Sequence, residues 1–219
     1  MGPKLLDMKG DEIDPADLAR VAQHLVGGGL VAMPTETVYG FGCIPESAPL
    51  KELQRLKARG PEKPFLLLIP DPDSVPELNW VPDARELAEV FWPGALTLIL
   101  SDPRKRFPRG VRNAHGGVAI RVSPHPLVRD VMRALDRPMV STSANTPGGP
   151  PALTAEDAFE AARILGAGDG LWVLDGGALP PSEPSTIVDC TGLVPVIRRV
   201  GSIPVPRMRC VLPEIHESS

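Results

Sequence analysis

Aromatic and sulfur-bearing side chains are scarce in this chain, which has three tryptophans, one tyrosine and three cysteines among 219 residues. Cys43, Cys190 and Cys210 lie far apart and form neither a C-x-x-C pair nor a zinc-like spacing with histidine. They read as free thiols, which points to a reducing cytoplasm and away from a disulfide framework or a structural zinc. The four histidines, His24, His115, His125 and His216, make no H-E-x-x-H or similar metal pattern. No apolar run approaches the roughly 20 residues of a membrane helix. The opening MGPKLLDMKGDEID lacks the apolar core of a secretory leader, and Pro3 spoils a myristoylation signal at Gly2. A net charge of −4 argues against a surface that binds nucleic acid everywhere. Neither G-x-x-x-x-G-K-[ST] nor G-x-G-x-x-G occurs, so the two commonest phosphate-binding loops are absent.

What the chain has is proline, 27 residues of it, spread as punctuation rather than as a tract. Its length suits one globular domain, which would bury roughly 70% of its unfolded surface. Asp14-Pro15-Ala16-Asp17 opens a helix that the glycines at 27–29 close. Leu30–Met33 is a short buried strand. A helix starts at Ser47, aligns Leu50, Leu53 and Leu56, and stops at Gly60. Phe65–Ile69 is a strand, Asp83 caps a helix to Trp92, and Ala95–Leu100 and Val118–Val122 are strands. His125–Leu135 is a helix and Met139–Thr142 a strand. Thr154 begins a capping box for a helix to Leu165. Leu171–Leu174, Ser185–Asp189 and Val194–Arg199 complete the strands. Continuous apolar strands alternating with helices predict an α/β domain whose sheet is covered on both faces. The stretch 204–219 reads as a short C-terminal tail that either lies over the core or frays.

Three polar segments follow buried strands or helix ends. Pro34-Thr35-Glu36-Thr37-Val38-Tyr39-Gly40-Phe41-Gly42 sits where open α/β sheets bind ligands. It is equally readable as a polar turn. Lys57, Arg59 and Lys63 present three cations within seven residues, suited to an anionic group, although Lys57 and Arg59 also complement a helix C-terminus. Ser141-Thr-Ser143-Ala-Asn145 offers hydroxyls and an amide without a G-x-S-x-G elbow, so these residues read as hydrogen-bonders rather than nucleophiles. Five positive charges gather in RKRFPRGVR, 104–112.

PTETVYGFG, KARGPEKP, FWPGALTLIL, VAIRV followed by HP, STSAN, STIVD and IRRVG occur here in the order found in the YrdC-type threonylcarbamoyl-AMP synthases. The resemblance spans residues 14–203, the expected YrdC-like catalytic domain, and extends to a domain of the hydrogenase-maturation carbamoyltransferases. It implies a single α/β domain with a twisted mixed sheet, helices on its faces and a large positively charged concave cleft. It implies condensation of L-threonine, bicarbonate or CO2, and ATP, with Mg2+, to threonylcarbamoyl-adenylate and pyrophosphate. A partner transferase then delivers the threonylcarbamoyl group to a tRNA adenosine beside the anticodon. Thr35, Arg121, Ser143 and Ser185 are the threonine-side residues so implied; Lys57, Arg59, Lys63, Asn145, Thr154 and Arg199 are the ATP-side residues. No protein metal ligand and no nucleophile is implied, and Glu36 is available as a base or as a structural group. Leu68 stands where many relatives carry histidine, and Lys63 where many carry asparagine. A non-catalytic module holding tRNA or double-stranded RNA, and a paralogue using another carbamoyl acceptor, are the alternatives.

Overall fold

The computed structural model describes residues 2–10 and 12–218. Its strands are β1 (Lys4–Asp7), β2 (Leu30–Pro34), β3 (Tyr39–Cys43), β4 (Leu66–Leu68), β5 (Leu96–Ser101), β6 (Gly117–Arg121), β7 (Met139–Ser143), β8 (Leu171–Asp175), β9 (Thr186–Asp189), β10 (Val196–Arg199) and β11 (His216–Glu217). The helices are α1 (Pro15–Val26), α2 (Ser47–Leu56), α3 (Pro82–Phe91), α4 (Pro126–Leu135), α5 (Ala155–Ile164) and α6 (Val205–Val211). All strands join one twisted mixed sheet in the order β1-β8-β2-β3-β7-β4-β6-β5-β9-β10-β11.

Side-chain alternation divides this sheet into two unlike faces. On one face Phe41, Leu67, Leu96, Leu98, Ile120, Val140 and Val188 are almost fully buried, beneath apolar residues of α2, α3, α5 and α6. On the other, Val31, Met33, Leu68, Met139 and Leu174 pack under α1 and α4. That second layer covers only part of its face. The expectation of full cover on both faces is therefore corrected: toward β5 and β9 the face is left open, and the site lies there.

Helix ends follow their caps. Asp14 accepts from Ala16 N at 2.8 Å, with Pro15 in the first turn. Thr154 accepts from Asp157 N at 3.1 Å. Asp83 does not cap α3 as expected; Val81 occupies that position, and Asp83 lies in the first turn, where its charge complements the helix dipole. Helix α2 ends before Gly60. Ala58 adopts a left-handed φ of 45°, and Ala58 N and Arg59 N return to Arg55 O and Gln54 O at 3.1 and 3.0 Å, a Schellman stop without glycine.

Three strands were not expected: β1, β3 and β11. β1 pairs with β8, and β3 joins β2 to β7. Gly40 in β3 is required by packing, since a Cβ there would lie 2.7 Å from Ser141 Oγ. The 204–219 tail is packed down along its described length: α6 buries Met208, Ile215 joins the core, and β11 pairs with β10.

Candidate active site

The open part of the sheet forms the floor of a cavity of about 490 Å³. Leu66, Thr97, Ala119, Arg121, Ser141, Ser143, Ser185 and Ile187 line it, and each is adjacent in sequence to a residue buried on the opposite face. Thr35, Thr37 and Gly40 contribute from the β2–β3 turn, Arg59 and Pro64 from the segment after α2, Asn145 from the segment after β7, and Arg199 from the end of β10. Three arginines and many hydroxyls thus meet from distant parts of the chain. Among the described residues, no Asp, Glu, His, Cys or Lys lines the cavity.

Each arginine is held differently. Arg59 donates from Nε to Lys63 O at 2.7 Å and from Nη2 to Pro64 O at 2.6 Å, and it lies 4.7 Å from the Phe65 ring centroid. Carbonyls and a ring fix its plane without neutralising it. Arg199 is gripped likewise, donating from Nε and Nη2 to Ser185 O at 3.1 and 2.9 Å. Burial lowers the pKa of both guanidinium groups from the usual value. Arg121 differs. It is 6% exposed, and its Nη1 sits 3.1 Å from Glu36 Oε1. Burial lowers its pKa, Glu36 opposes that shift, and the nearby Arg199 adds to it. Arg121 Nε is buried without a hydrogen-bond partner.

Hydroxyls link the segments. Ser185 Oγ lies 2.9 Å from Thr97 Oγ1, and Arg199 Nη2 reaches Ser185 Oγ at 3.3 Å. Ser143 Oγ donates to Asn145 Oδ1 at 2.7 Å, and Asn145 Nδ2 donates to Gly149 O at 2.9 Å. Thr35 Oγ1 donates to Val38 O at 2.8 Å and so braces its own turn.

Of the residues singled out in the sequence, the cavity brings together Thr35, Arg59, Arg121, Ser143, Asn145, Ser185 and Arg199. Lys57, Lys63 and Thr154 are not in its wall. Lys57 Nζ donates to Ser143 O, Asn145 O and Asn145 Oδ1 at 2.9, 2.6 and 2.7 Å, three acceptors for three protons. Burial, then the charge of Arg59, lowers its pKa to about 8. Lys63 is exposed, and its carbonyl rather than its ammonium serves the site by holding Arg59. Thr154 caps α5. Leu68 is fully buried under α1 and α4, and its neighbour in register on β6 is Arg121. Ser141 and Thr142, expected as hydrogen-bonders with the rest of their segment, are also in the cavity wall, whereas Thr97 and Ser182 were passed over in the sequence. A hydroxyl breaking the apolar run ALTLIL was the available signal for Thr97; nothing marked Ser182.

The fold is a mixed α/β sheet with one face partly uncovered, where arginines and hydroxyls converge on one cavity. The Sua5/YciO/YrdC family model, described as "Telomere recombination", matches residues 23–201. The chain belongs to that family. It is 39% identical over 175 residues to a threonylcarbamoyl-AMP synthase of Chromohalobacter salexigens, covering 78% of this chain and 91% of that one. A threonylcarbamoyl-AMP synthase of Bacillus subtilis is 34% identical across 94% of this chain, which spans 60% of that longer protein. Among solved structures, P. abyssi Sua5 complexed with L-threonine superposes with a TM-score of 0.87 at 28% identity, over 100% of this chain and 63% of that one. E. coli YciO, at 24% identity and a TM-score of 0.80, shares the fold over 95% of this chain and 100% of its own. No helix among the described residues is long and apolar enough to cross a membrane.

Proposed function

We propose that this protein is a threonylcarbamoyl-AMP synthase, condensing L-threonine, bicarbonate or CO2, and ATP to threonylcarbamoyl-adenylate and pyrophosphate. The observation that carries the reading is the meeting of Arg59, Arg121 and Arg199 with Ser143, Asn145 and Ser185 in one cavity. Relatives bearing that enzyme name, and a threonine complex of a similarly folded protein, support it. Three guanidinium groups in the wall, one of them paired with Glu36, support the reading of the cavity as a positively charged cleft.

The contrast among the arginines assigns the two substrates. Arg59 and Arg199 keep uncompensated charge and suit the ATP phosphates, with Asn145 as a hydrogen-bonding neighbour that Ser143, on the threonine side, bonds through Oγ. Arg121, already half-neutralised by Glu36, suits a single carboxylate, that of threonine, with Thr35 and Ser185 near the amino acid. Lys57 acts by holding the 143–145 segment. Lys63 and Thr154 support the ATP side from outside the wall, through the Lys63 carbonyl and the α5 cap.

The chemistry asks for positioning more than for reactive side chains. The threonine amine adds to CO2 and loses a proton, giving a carbamate. A carbamate oxygen then attacks the α-phosphorus, the bond to the bridging oxygen breaks, and pyrophosphate leaves with its electron pair. Held arginines stabilise the charge that builds on the phosphates. No residue in the wall is a nucleophile activated by a base. The described residues contain no group of three or more His, Cys, Asp or Glu side chains able to hold a metal. The Mg2+ of the reaction would be carried by the phosphates of ATP, as part of that substrate. The product serves a transferase that modifies tRNA, and the setting is the cytoplasm.

The test is to incubate pure protein with ATP, labelled bicarbonate and each amino acid in turn, following pyrophosphate and the adenylate. Threonine-dependent release of both is expected. Turnover with another amino acid would identify a paralogue, and RNA binding without turnover would identify a non-catalytic module.

A further inference from the structure

Three buried side-chain atoms have no hydrogen-bond partner among the described residues: Glu36 Oε1, Arg121 Nε and His125 Nδ1. They belong to one cluster beside the cavity. Its links run in order. His125 N donates to Ser123 Oγ at 3.3 Å, Ser123 Oγ donates to Glu36 Oε2 at 2.7 Å, and Glu36 Oε1 faces Arg121 Nη1 at 3.1 Å. The chain of contacts ties the start of α4 to the guanidinium through a carboxylate at the tip of the β2–β3 turn. That turn is itself fixed by Thr35 Oγ1, which donates to Val38 O and accepts from Thr37 N and Val38 N at 3.3 Å each.

Glu36 is poorly placed to be a base. It is absent from the cavity wall, one oxygen is held by the Ser123 hydroxyl, and the other faces a guanidinium. What it can do is orient. An arginine recognises a carboxylate best along one edge, with two parallel N–H donors. Glu36 engages the Nη1 side, and Nε remains without a partner.

We infer that Glu36, braced by Ser123, is the positioning residue that holds the Arg121 guanidinium in line with the carboxylate of the amino-acid substrate. This rests on the assignment of threonine to Arg121 made above. The aim matters because Arg199 lies close enough to Arg121 to disfavour its charge. A loose guanidinium would swing toward the phosphates and compete with Arg59 and Arg199 for ATP. Glu36 thereby keeps the amino-acid and nucleotide subsites apart.

The experiment measures threonine-dependent pyrophosphate release for the unaltered protein, Glu36→Gln and Ser123→Ala, with L-threonine and with L-threoninamide, which lacks the carboxylate. Thermal melts identify any variant that fails to fold. Misaiming the guanidinium should raise the threonine KM about tenfold or more in Glu36→Gln, with the ATP KM unchanged. Ser123→Ala, which keeps the carboxylate charge, should shift threonine the same way by a smaller factor. The preference for threonine over its amide should shrink in both variants; a merely structural role would weaken both substrates in proportion. An unchanged or lower threonine KM in Glu36→Gln, or an amide preference that holds in Ser123→Ala, overturns the inference. Absence of threonine-dependent release from the unaltered protein would instead overturn the assignment on which it rests.

Discussion

The two faces of the sheet are made by the same strands, yet they obey opposite rules. Leu67 is fully buried against the helix layer, whereas its neighbour Leu66 is a wall of the cavity. Ile120 is core and Arg121 is site; Val140 is core and Ser141 is site. One face has the dense packing of a protein interior, in which lost volume is felt directly as lost stability. On the other, beyond the apolar layer under α1 and α4, the open part is held by hydrogen bonds to carbonyls and hydroxyls, and its charges are imperfectly compensated. Packing is thus continuous on one side of the sheet, and on the other it gives way, past that layer, to the polar wall of the cavity.

That division is most sharply tested by truncating one residue on each side. Leu67→Ala should cost about 2–5 kcal/mol of stability, read by denaturant unfolding, while turnover per folded molecule stays near that of the unaltered protein. Arg59→Ala should do the reverse. It removes an uncompensated positive charge from the cavity, so pyrophosphate release should fall about a hundredfold or more. Its unfolding midpoint should move little, because the backbone carbonyls it held can turn to water. Normal turnover in Arg59→Ala would remove this residue from the phosphate subsite.

Lys57 lies between the two regimes and can be read by pH. Its folded pKa of about 8 is below the ordinary lysine value of 10.5. Between those values the unfolded chain holds a proton that the folded chain has released. The Lys57 contribution to stability therefore rises as pH climbs from about 8 toward 10.5. Activity should move the other way. A neutral amine has one donor too few for Ser143 O, Asn145 O and Asn145 Oδ1, so the 143–145 segment loosens. Above pH 8, kcat/KM should fall by up to about tenfold per unit, and Lys57→Met should show neither slope. Parallel slopes for the two proteins would show that another group titrates.

The order of elements was legible in the sequence because most strands are short apolar runs and most helices carry a cap or a proline at the start. The split between the faces was harder to read. The strands 95–100 and 118–122 are apolar apart from Thr97 and Arg121, and Ala119, like Leu66 in the 65–69 strand, lines the cavity although it would suit a core equally well. Strand β3 was hidden by Gly40, whose glycine reads as a turn when its cause is the close approach of Ser141. β1 was hidden because Lys4 and Asp7 give an edge strand charged ends. The arginines of the site followed from the motifs. Their differences did not, because whether an arginine meets a carbonyl or a carboxylate depends on residues such as Glu36 and Ser185 that are distant in sequence. At Lys63 the charge was legible in the sequence, but the carbonyl that accepts from Arg59 Nε was not.

The smallest expected effect makes the finest cut. Thr154 was assigned to the nucleotide side by motif, but its hydroxyl accepts from Asp157 N and it is absent from the cavity wall. If it acts only as a cap, Thr154→Ala should cost roughly 1 kcal/mol of stability, and Thr154→Ser should restore it, since serine carries the same acceptor. The KM values for ATP and threonine should be unaffected in both. The cap also orients α5, whose Ala155, Ala158 and Ala162 are buried in the main core. A slightly frayed first turn should therefore loosen the packed face of the sheet before it disturbs the open one. A rise in the ATP KM of Thr154→Ala without loss of stability would place this hydroxyl in contact with nucleotide and extend the recognition region across the end of α5.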